Sequence, residues 1–270
     1  MPELPEVETT LRGIEPHLLN QRIARVIVRE SRLRWPVTSE VKQAEGQVFT
    51  RLDRRGKYML LQLQKGGLII HLGMSGSLRI LQHAITPGKH DHIDIELENG
   101  LCLRFNDPRR FGAFMWVNGP MEQHELLCDL GPEPFSGGFT ADYLYHRSRD
   151  RRVAIKNFIM NGHIVVGVGN IYASEALFMA GIHPLRSAGR ISRHRYDGLV
   201  AAIRDVLDRA IKQGGTTLRD FVDSDGAPGY FAQELLVYDR ADNDCFQCGG
   251  PIRQKTIGQR SSYYCPKCQH

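Results

Sequence analysis

The sequence predicts an α+β chain in three parts: an amino-terminal antiparallel β-sandwich with flanking helices, a helical part, and a carboxy-terminal β-hairpin ribbon around a metal. Three observations predict it. Short β-rich runs bounded by Gly, Pro or Asn recur through the first half, and apolar residues at helical spacing replace them in the second. Four of the six cysteines then close the chain as C-x2-C-x16-C-x2-C.

The chain opens Met1-Pro2-Glu3-Leu4-Pro5-Glu6-Val7-Glu8. Pro5 suits a first helical turn, Glu6 and Glu8 suit the positive end of a helix dipole, and Val7, Leu11 and Ile14 recur at helical spacing. A helix starting here would dock one face on a core and hold the terminus still. Proline is small enough for routine removal of Met1, which leaves Pro2 as a free secondary amine. An α-amino group has a pKa of about 7.7 to 8.0, so part of it is unprotonated near neutrality and can attack a sugar aldehyde carbon to form an iminium. Glu3 would stand beside that amine as a general acid. Taken alone, an acidic helix start at an ordinary terminus accounts for the stretch; the clusters further along favour the chemical reading.

Residues 23–28, 58–63, 68–72, 78–81, 93–97, 101–105 and 111–117 read as strands, with Asn99-Gly100 as a tight hairpin turn. About seven or eight short strands with turns at such intervals make an antiparallel sandwich. Three polar turns lie between them: Arg54-Arg55-Gly56-Lys57, His71-Leu72-Gly73-Met74-Ser75-Gly76, and Asn106-Asp107-Pro108-Arg109-Arg110-Phe111-Gly112. Each alone is an ordinary turn at a sheet edge. An arginine beside an exposed ring, however, is what a minor-groove wedge requires, and an enzyme acting on a base must fill the gap left when that base is expelled.

Gly131-Pro132-Glu133-Pro134 and Ser136-Gly137-Gly138 read as a hinge. Val165-Val166-Gly167-Val168-Gly169-Asn170 then leads into a helix over residues 171–180, with Asn170 as its amino-terminal cap. Two glycines before a helix suit a phosphate, but Tyr172 at the third glycine position excludes a dinucleotide fingerprint. Ser192 caps a longer helix with the stripe Leu199, Ile203, Val206, Leu207, Ala210 and Ile211, ended by Gly214-Gly215. Residues 224–230 are too rich in turn formers for an element and read as a loop. In the ribbon, residues 252–256 and 262–264 pair across Gly258-Gln259-Arg260, which puts Arg260 at a hairpin tip. Cys245, Cys248, Cys265 and Cys268 form two knuckles that bring four thiolates onto a structural zinc with no open position. Two disulfides, the alternative, would need an oxidising compartment, and there is no secretion signal. Cys102 and Cys128 read as small buried hydrophobes.

Composition narrows the class. Hydrophobic residues make up 41% and charged ones 24%, an ordinary globular balance, and the formal charge of +5 permits a polyanionic partner. No apolar run reaches the length of about 18 residues needed to span a bilayer, and the acidic amino end carries no signal-peptide pattern. An intracellular protein is expected, with no membrane partner.

Pro2 to Glu8, Lys57, residues 71–78, Lys89-His90-Asp91-His92, residues 107–112, 130–134, 167–175, 214–217 and 226–231, and the four cysteines together resemble the bacterial formamidopyrimidine-DNA glycosylases over residues 1–270. The resemblance implies a catalytic β-sandwich domain over residues 1–131, a hinge over 132–138, a helix-two-turn-helix domain with a lesion-recognition loop over 139–236, and a zinc ribbon over 237–270. It implies a bifunctional DNA glycosylase and AP lyase of base-excision repair, acting on 8-oxoguanine and formamidopyrimidines. Pro2 would attack C1′, Glu3 would serve as general acid or base, Lys57 would donate a proton in β-elimination and Arg260 in δ-elimination. His90, Arg109, one of Arg151 or Arg152, Lys156, Asn170 and Arg260 would contact DNA. Met74, Arg109 and Phe111 would fill the void, and a loop including Ser224, Gly226, Gly229 and Tyr230 would cover the lesion. The implied protein is a bacterial cytoplasmic monomer, associated with the nucleoid through damaged double-stranded DNA, with one zinc and no nucleotide cofactor. Ser261-Ser262 departs mildly from the family pattern, as do Val166 and Val168. Endonuclease VIII, which prefers oxidised pyrimidines, is the sister alternative; Leu4 and the Met74, Arg109, Phe111 set favour the purine enzyme. A non-catalytic zinc-ribbon DNA-binding protein is the alternative of a different class.

Overall fold

In the computed structural model, which describes residues 1–83, 85–216 and 234–270, the chain opens with helix α1 (Leu4–Leu18). Proline in the first turn costs nothing there, because that turn's N–H groups have no helical acceptor. Val7, Leu11, Ile14 and Leu18 form the buried stripe. Eight strands follow: β1 (Ile23–Val28), β2 (Phe49–Arg55), β3 (Tyr58–Leu63), β4 (Gly67–His71), β5 (Ser77–Leu81), β6 (Asp91–Leu97), β7 (Cys102–Asn106) and β8 (Ala113–Val117). They pair antiparallel in two four-stranded sheets, ordered β1-β6-β7-β5 and β2-β3-β4-β8. Both sheets and the α1 stripe share one core. Phe105 of one sheet and Phe114 of the other meet in it with ring centroids 5.9 Å apart, each burial stabilising by about 1.5–3 kcal/mol.

Strand β2 has no counterpart in the sequence reading. Its FTRLDRR run places Phe49 and Leu52 inward and leaves five polar positions, a composition an edge strand tolerates. Cys128 also differs from expectation: it is exposed, because Leu127 takes the inward position in that segment.

Among the described residues the chain forms two compact units. The sandwich unit joins Met1–Cys128 to the described part of Gln213–Ala232; the second joins Asp129–Lys212 to the described part of Gln233–His270. The second unit holds helices α2 (Ala141–Ser148), α3 (Ile155–Ile159), α4 (Asn170–Met179) and α5 (Arg193–Lys212), with strands β9 (Arg253–Ile257) and β10 (Arg260–Tyr264). Thr140 caps α2, its hydroxyl accepting the Tyr143 N–H at 3.1 Å. Helix α4 is buried from Ile171 to Phe178, and Phe178 joins Val237, Ile252 and Tyr263 in a small core beneath the ribbon. Strands β9 and β10 pair across Gly258 and Gln259, both at positive φ (55° and 63°), as a two-residue turn requires. No helix among the described residues is long and apolar enough to cross a membrane.

Candidate functional site

The Glu6 carboxylate anchors the amino terminus. Pro2 and Glu3 are buried, and Glu6 Oε2 accepts the Glu3 N–H at 2.7 Å. Its other oxygen, Oε1, accepts the Thr216 N–H at 2.7 Å, from a residue 210 positions away. Gly215 makes the approach possible: its φ is +82°, and a Cβ there would stand 3.0 Å from Glu6 Oε1. One turn on, Glu8 ties α1 to the β2–β3 turn. Its Oε2 accepts from Arg54 Nε at 2.7 Å, and Arg54 Nη1 donates to Gly56 O at 3.0 Å, next to Lys57. Burial pushes the Glu8 carboxyl up, yet the hydrogen bonds and charges of Arg54 and Arg12 outweigh it and hold the group below its ordinary range. The start of the helix and the Lys57 turn are thereby fixed to each other.

Lys57 also bears on His71. Tyr58 and His71 are paired across β3 and β4, their rings 4.8 Å apart. Burial lowers the His71 pKa to about 4, helped by the charges of Lys57 and Arg34. His71 Nδ1 accepts the Gly73 N–H at 2.9 Å, so the neutral ring carries its proton on Nε2. The folded pKa lies below the ordinary 6.5, so between these values the unfolded chain binds more protons and stability rises with pH. Relative to His71→Asn, the wild type is expected to lose stability as pH falls from about 6.5 towards 4, with no difference building above about 7. Denaturant melts of both proteins across that range check it, and parallel pH curves would contradict it.

Met74, Arg109, Phe111 and His90 are gathered around Asp107. Its buried carboxylate accepts from Ser75 Oγ at 2.9 Å and from the Gly112 N–H at 2.8 Å, so it ties the 72–76 turn to the 107–112 turn. Its N–H donates to His90 O at 3.0 Å, and its carbonyl bonds His92 Nε2 at 2.8 Å. The two turns lie so close that a Cβ on Gly73 would stand 2.4 Å from the Phe111 carbonyl carbon. Arg109 donates its N–H to Ser75 Oγ at 3.2 Å and lays its guanidinium 4.9 Å from the Phe111 ring centroid. Met74 and Phe111 are 37% and 43% exposed, well above a core residue, so two apolar groups and a cation project together from one rigid base. The turn was legible in the sequence, but Asp107 as its hub was not. Glu6 was read only as a helix-dipole partner, and neither Arg34 nor His71 was assigned a role; a polar residue ending the apolar run Leu68-Ile69-Ile70-His71 was the available signal.

The second unit carries the other expected residues. Asn170 was read as the cap of α4. Gly169 holds that position instead, and Asn170, the first helical residue, uses its side chain elsewhere. Its Oδ1 accepts from Lys156 Nζ at 2.7 Å, while Nδ2 donates to Ser261 O at 3.0 Å. Lys156 is 0% exposed, and its ammonium bonds Ser262 Oγ at 2.6 Å and Ser261 O at 3.3 Å. A buried ammonium needs such acceptors, and here they orient Asn170 against strand β10. Arg260, at the start of β10 beside the hairpin turn, is exposed. Arg151 and Arg152 are both exposed. Ser224, Gly226, Gly229 and Tyr230 lie outside the described residues.

The four cysteine sulfurs all lie within 4.8 Å of one another, with Cys245–Cys268 at 3.8 Å and Cys248–Cys265 at 3.5 Å. Zinc–sulfur bonds of about 2.3 Å in a tetrahedron give sulfur–sulfur edges of about 3.8 Å, so the set fits one structural zinc and leaves no ligand position for chemistry.

The two-sheet sandwich, the helical unit and the four-cysteine hairpin define an α+β protein with a zinc ribbon. Family models agree: formamidopyrimidine-DNA glycosylase N-terminal domain at residues 1–114, formamidopyrimidine-DNA glycosylase H2TH domain at 130–222, and the zinc finger found in FPG and IleRS at 245–270. The formamidopyrimidine-DNA glycosylase of Syntrophotalea carbinolica is 60% identical over 270 residues, covering 100% of both chains. The crystal structure of the MutM (Fpg) protein of Thermus thermophilus superposes with a TM-score of 0.90 at 37% identity, covering 99% of this chain and 98% of that one. A complex of the Lactococcus lactis Fpg with N7-benzyl-Fapy-dG containing DNA gives 0.92 at 30% identity, covering 100% of each. The chain belongs to the formamidopyrimidine-DNA glycosylase family of DNA-repair glycosylases.

Proposed function

We propose that this chain is a bifunctional DNA glycosylase and AP lyase that removes oxidised purines, 8-oxoguanine and formamidopyrimidines, through an iminium on Pro2. The observation that carries the proposal is the Glu6 carboxylate, which fixes the backbone on which Pro2 and Glu3 sit through the Glu3 and Thr216 N–H groups. With Met1 removed, the Pro2 nitrogen lone pair forms a bond to C1′ and the glycosidic bond breaks, its electrons leaving with the base, which takes up the proton that the Pro2 nitrogen loses. Glu3 supplies the proton that lets the sugar ring oxygen depart, giving the iminium. That group is an electron sink, so C2′ loses a proton and the C3′–O bond breaks; a second elimination breaks C5′–O, and water releases Pro2. Lys57 serves the first elimination and Arg260 the second. Met74, Arg109 and Phe111 occupy the space of the extruded nucleotide, at a cost of a few kcal/mol of unstacking that their contacts offset. The enzyme acts as a monomer in the bacterial cytoplasm without a nucleotide cofactor.

Borohydride reduces an iminium to a stable amine, so wild type with a duplex carrying 8-oxoguanine opposite cytosine is expected to give a covalent complex attached through Pro2. Excision of 8-oxoguanine should exceed that of thymine glycol by at least about tenfold, a difference of about 1.4 kcal/mol in barrier. The reverse order would move the chain to the endonuclease VIII reading. Tight binding with no trapped complex would make it a non-catalytic binding protein.

A further inference from the structure

Several arginines among the described residues are already engaged within the fold. Arg54, Arg104 and Arg193 hold carboxylates, and Arg149 turns inward, stacking 3.9 Å from the Tyr145 ring centroid and donating to Tyr145 O and Ile191 O at 2.9 Å each. Arg151, Arg152 and Arg190 are different: among the described residues no ion pair or side-chain hydrogen bond engages their guanidinium groups. With Asp150, Ser187 and Gly189 they line one surface pocket of about 600 Å³. Three guanidinium groups against one carboxylate leave it a formal charge of plus two. Like charges in excess over their counter-charge repel, and the arrangement calls for an anion.

The pocket's base is rigid. Ala154 and Ser187 form an antiparallel bridge, Ala188 donates its N–H to Val153 O at 2.9 Å, Gly189 to Arg151 O at 2.9 Å, and Arg151 to Ser148 O at 3.0 Å. Gly189 is so close that a Cβ would stand 2.9 Å from Arg151 O. Two segments over thirty positions apart in sequence are thus laced together, and each brings guanidinium groups to the same hollow.

We propose that this pocket seats one phosphate of the DNA backbone, and that Arg190 is a phosphate ligand there in addition to the Arg151 and Arg152 pair. The proposal rests on the reading of the chain as a DNA glycosylase. A guanidinium fork matches phosphate oxygens in pairs, and such a contact positions DNA without reading its sequence.

The test is the salt dependence of DNA binding, read by fluorescence anisotropy on undamaged and 8-oxoguanine duplexes for wild type, Arg190→Ala and Arg193→Ala. Arg193 is exposed on the same unit but paired with Asp142 at 2.7 Å, so it controls for net charge. Arg190→Ala is expected to lower the slope of log K against log salt by about 0.9 and to weaken both duplexes equally, by about fivefold at physiological salt. Arg193→Ala should leave the slope unchanged. An Arg190→Ala slope equal to that of wild type, or a loss confined to the damaged duplex, overturns the proposal. So does a result in which inorganic phosphate at fixed ionic strength protects Arg190 from arginine-specific labelling while the DNA slope stays constant, since the pocket would then take free phosphate. Borohydride trapping by the same wild-type protein reports separately on the enzymatic reading: trapping with an unchanged slope sinks only the pocket.

Discussion

The chain purified with Met1 retained is expected to bind the 8-oxoguanine duplex within a few-fold of the processed chain, yet to cleave it at least about a thousandfold more slowly, a loss of about 4 kcal/mol in transition-state stabilisation. It should give no borohydride-trapped complex. While Met1 is attached, the Pro2 nitrogen is an amide whose lone pair is delocalised into the carbonyl, and it cannot form the bond to C1′. The comparison is free of the usual folding ambiguity. With Met1 in place and 48% exposed, Pro2 is still buried, and Glu6 still holds the Glu3 and Thr216 N–H groups. Retained methionine therefore blocks the nitrogen without disturbing its anchor. Inhibition of methionine removal during expression, with the mass of each fraction as the check, supplies both forms. Equal cleavage by the two would remove Pro2 from the mechanism and make Lys57 the alternative amine to test.

How far the sequence could be read depended on the range of each interaction. Helix α1 and the zinc ribbon were legible because their determinants are local: an apolar stripe at helical spacing, and cysteine pairs whose geometry is nearly independent of the rest of the chain. Strand β2 was hidden because its partners across the ladder, not its charged composition, make it a strand. Asp107 and Glu6 were hidden for the same reason at longer range. Asp107 bonds Ser75 across 32 positions, and Glu6 bonds Thr216 across 210, and neither separation leaves a pattern in one sequence. The burial of Lys156 has a cause of the same kind: its acceptors Asn170 Oδ1 and Ser262 Oγ lie 14 and 106 positions away.

Cys265→Ser is expected to cut bound zinc from one per chain to less than about a tenth and to weaken damaged-duplex binding at least about a hundredfold, because structural zinc contributes apparent binding energy of about 10–16 kcal/mol to folding its ribbon. Serine keeps the shape but supplies no thiolate, and a segment of this size needs the metal in place of a larger core. Beneath the ribbon only a few apolar residues pack, Phe178, Val237, Ile252 and Tyr263 among them. Cys265 is also tied to the helical unit: its N–H donates to Gln269 Oε1 at 2.8 Å, and Gln269 Nε2 donates to Ile182 O at 2.9 Å. Loss of the metal should therefore free strand β10, strip Lys156 of Ser261 O and Ser262 Oγ, and leave a buried ammonium with Asn170 Oδ1 as its one remaining acceptor among those three. The defect would spread from the hairpin to the first turn of α4, which is why binding should fall further than the removal of Arg260 alone would lower it. Zinc content by mass spectrometry and the dissociation constants of Cys265→Ser and Arg260→Ala measured side by side decide the matter. A zinc-free serine variant no weaker than Arg260→Ala would mean that the ribbon does no more than carry its tip.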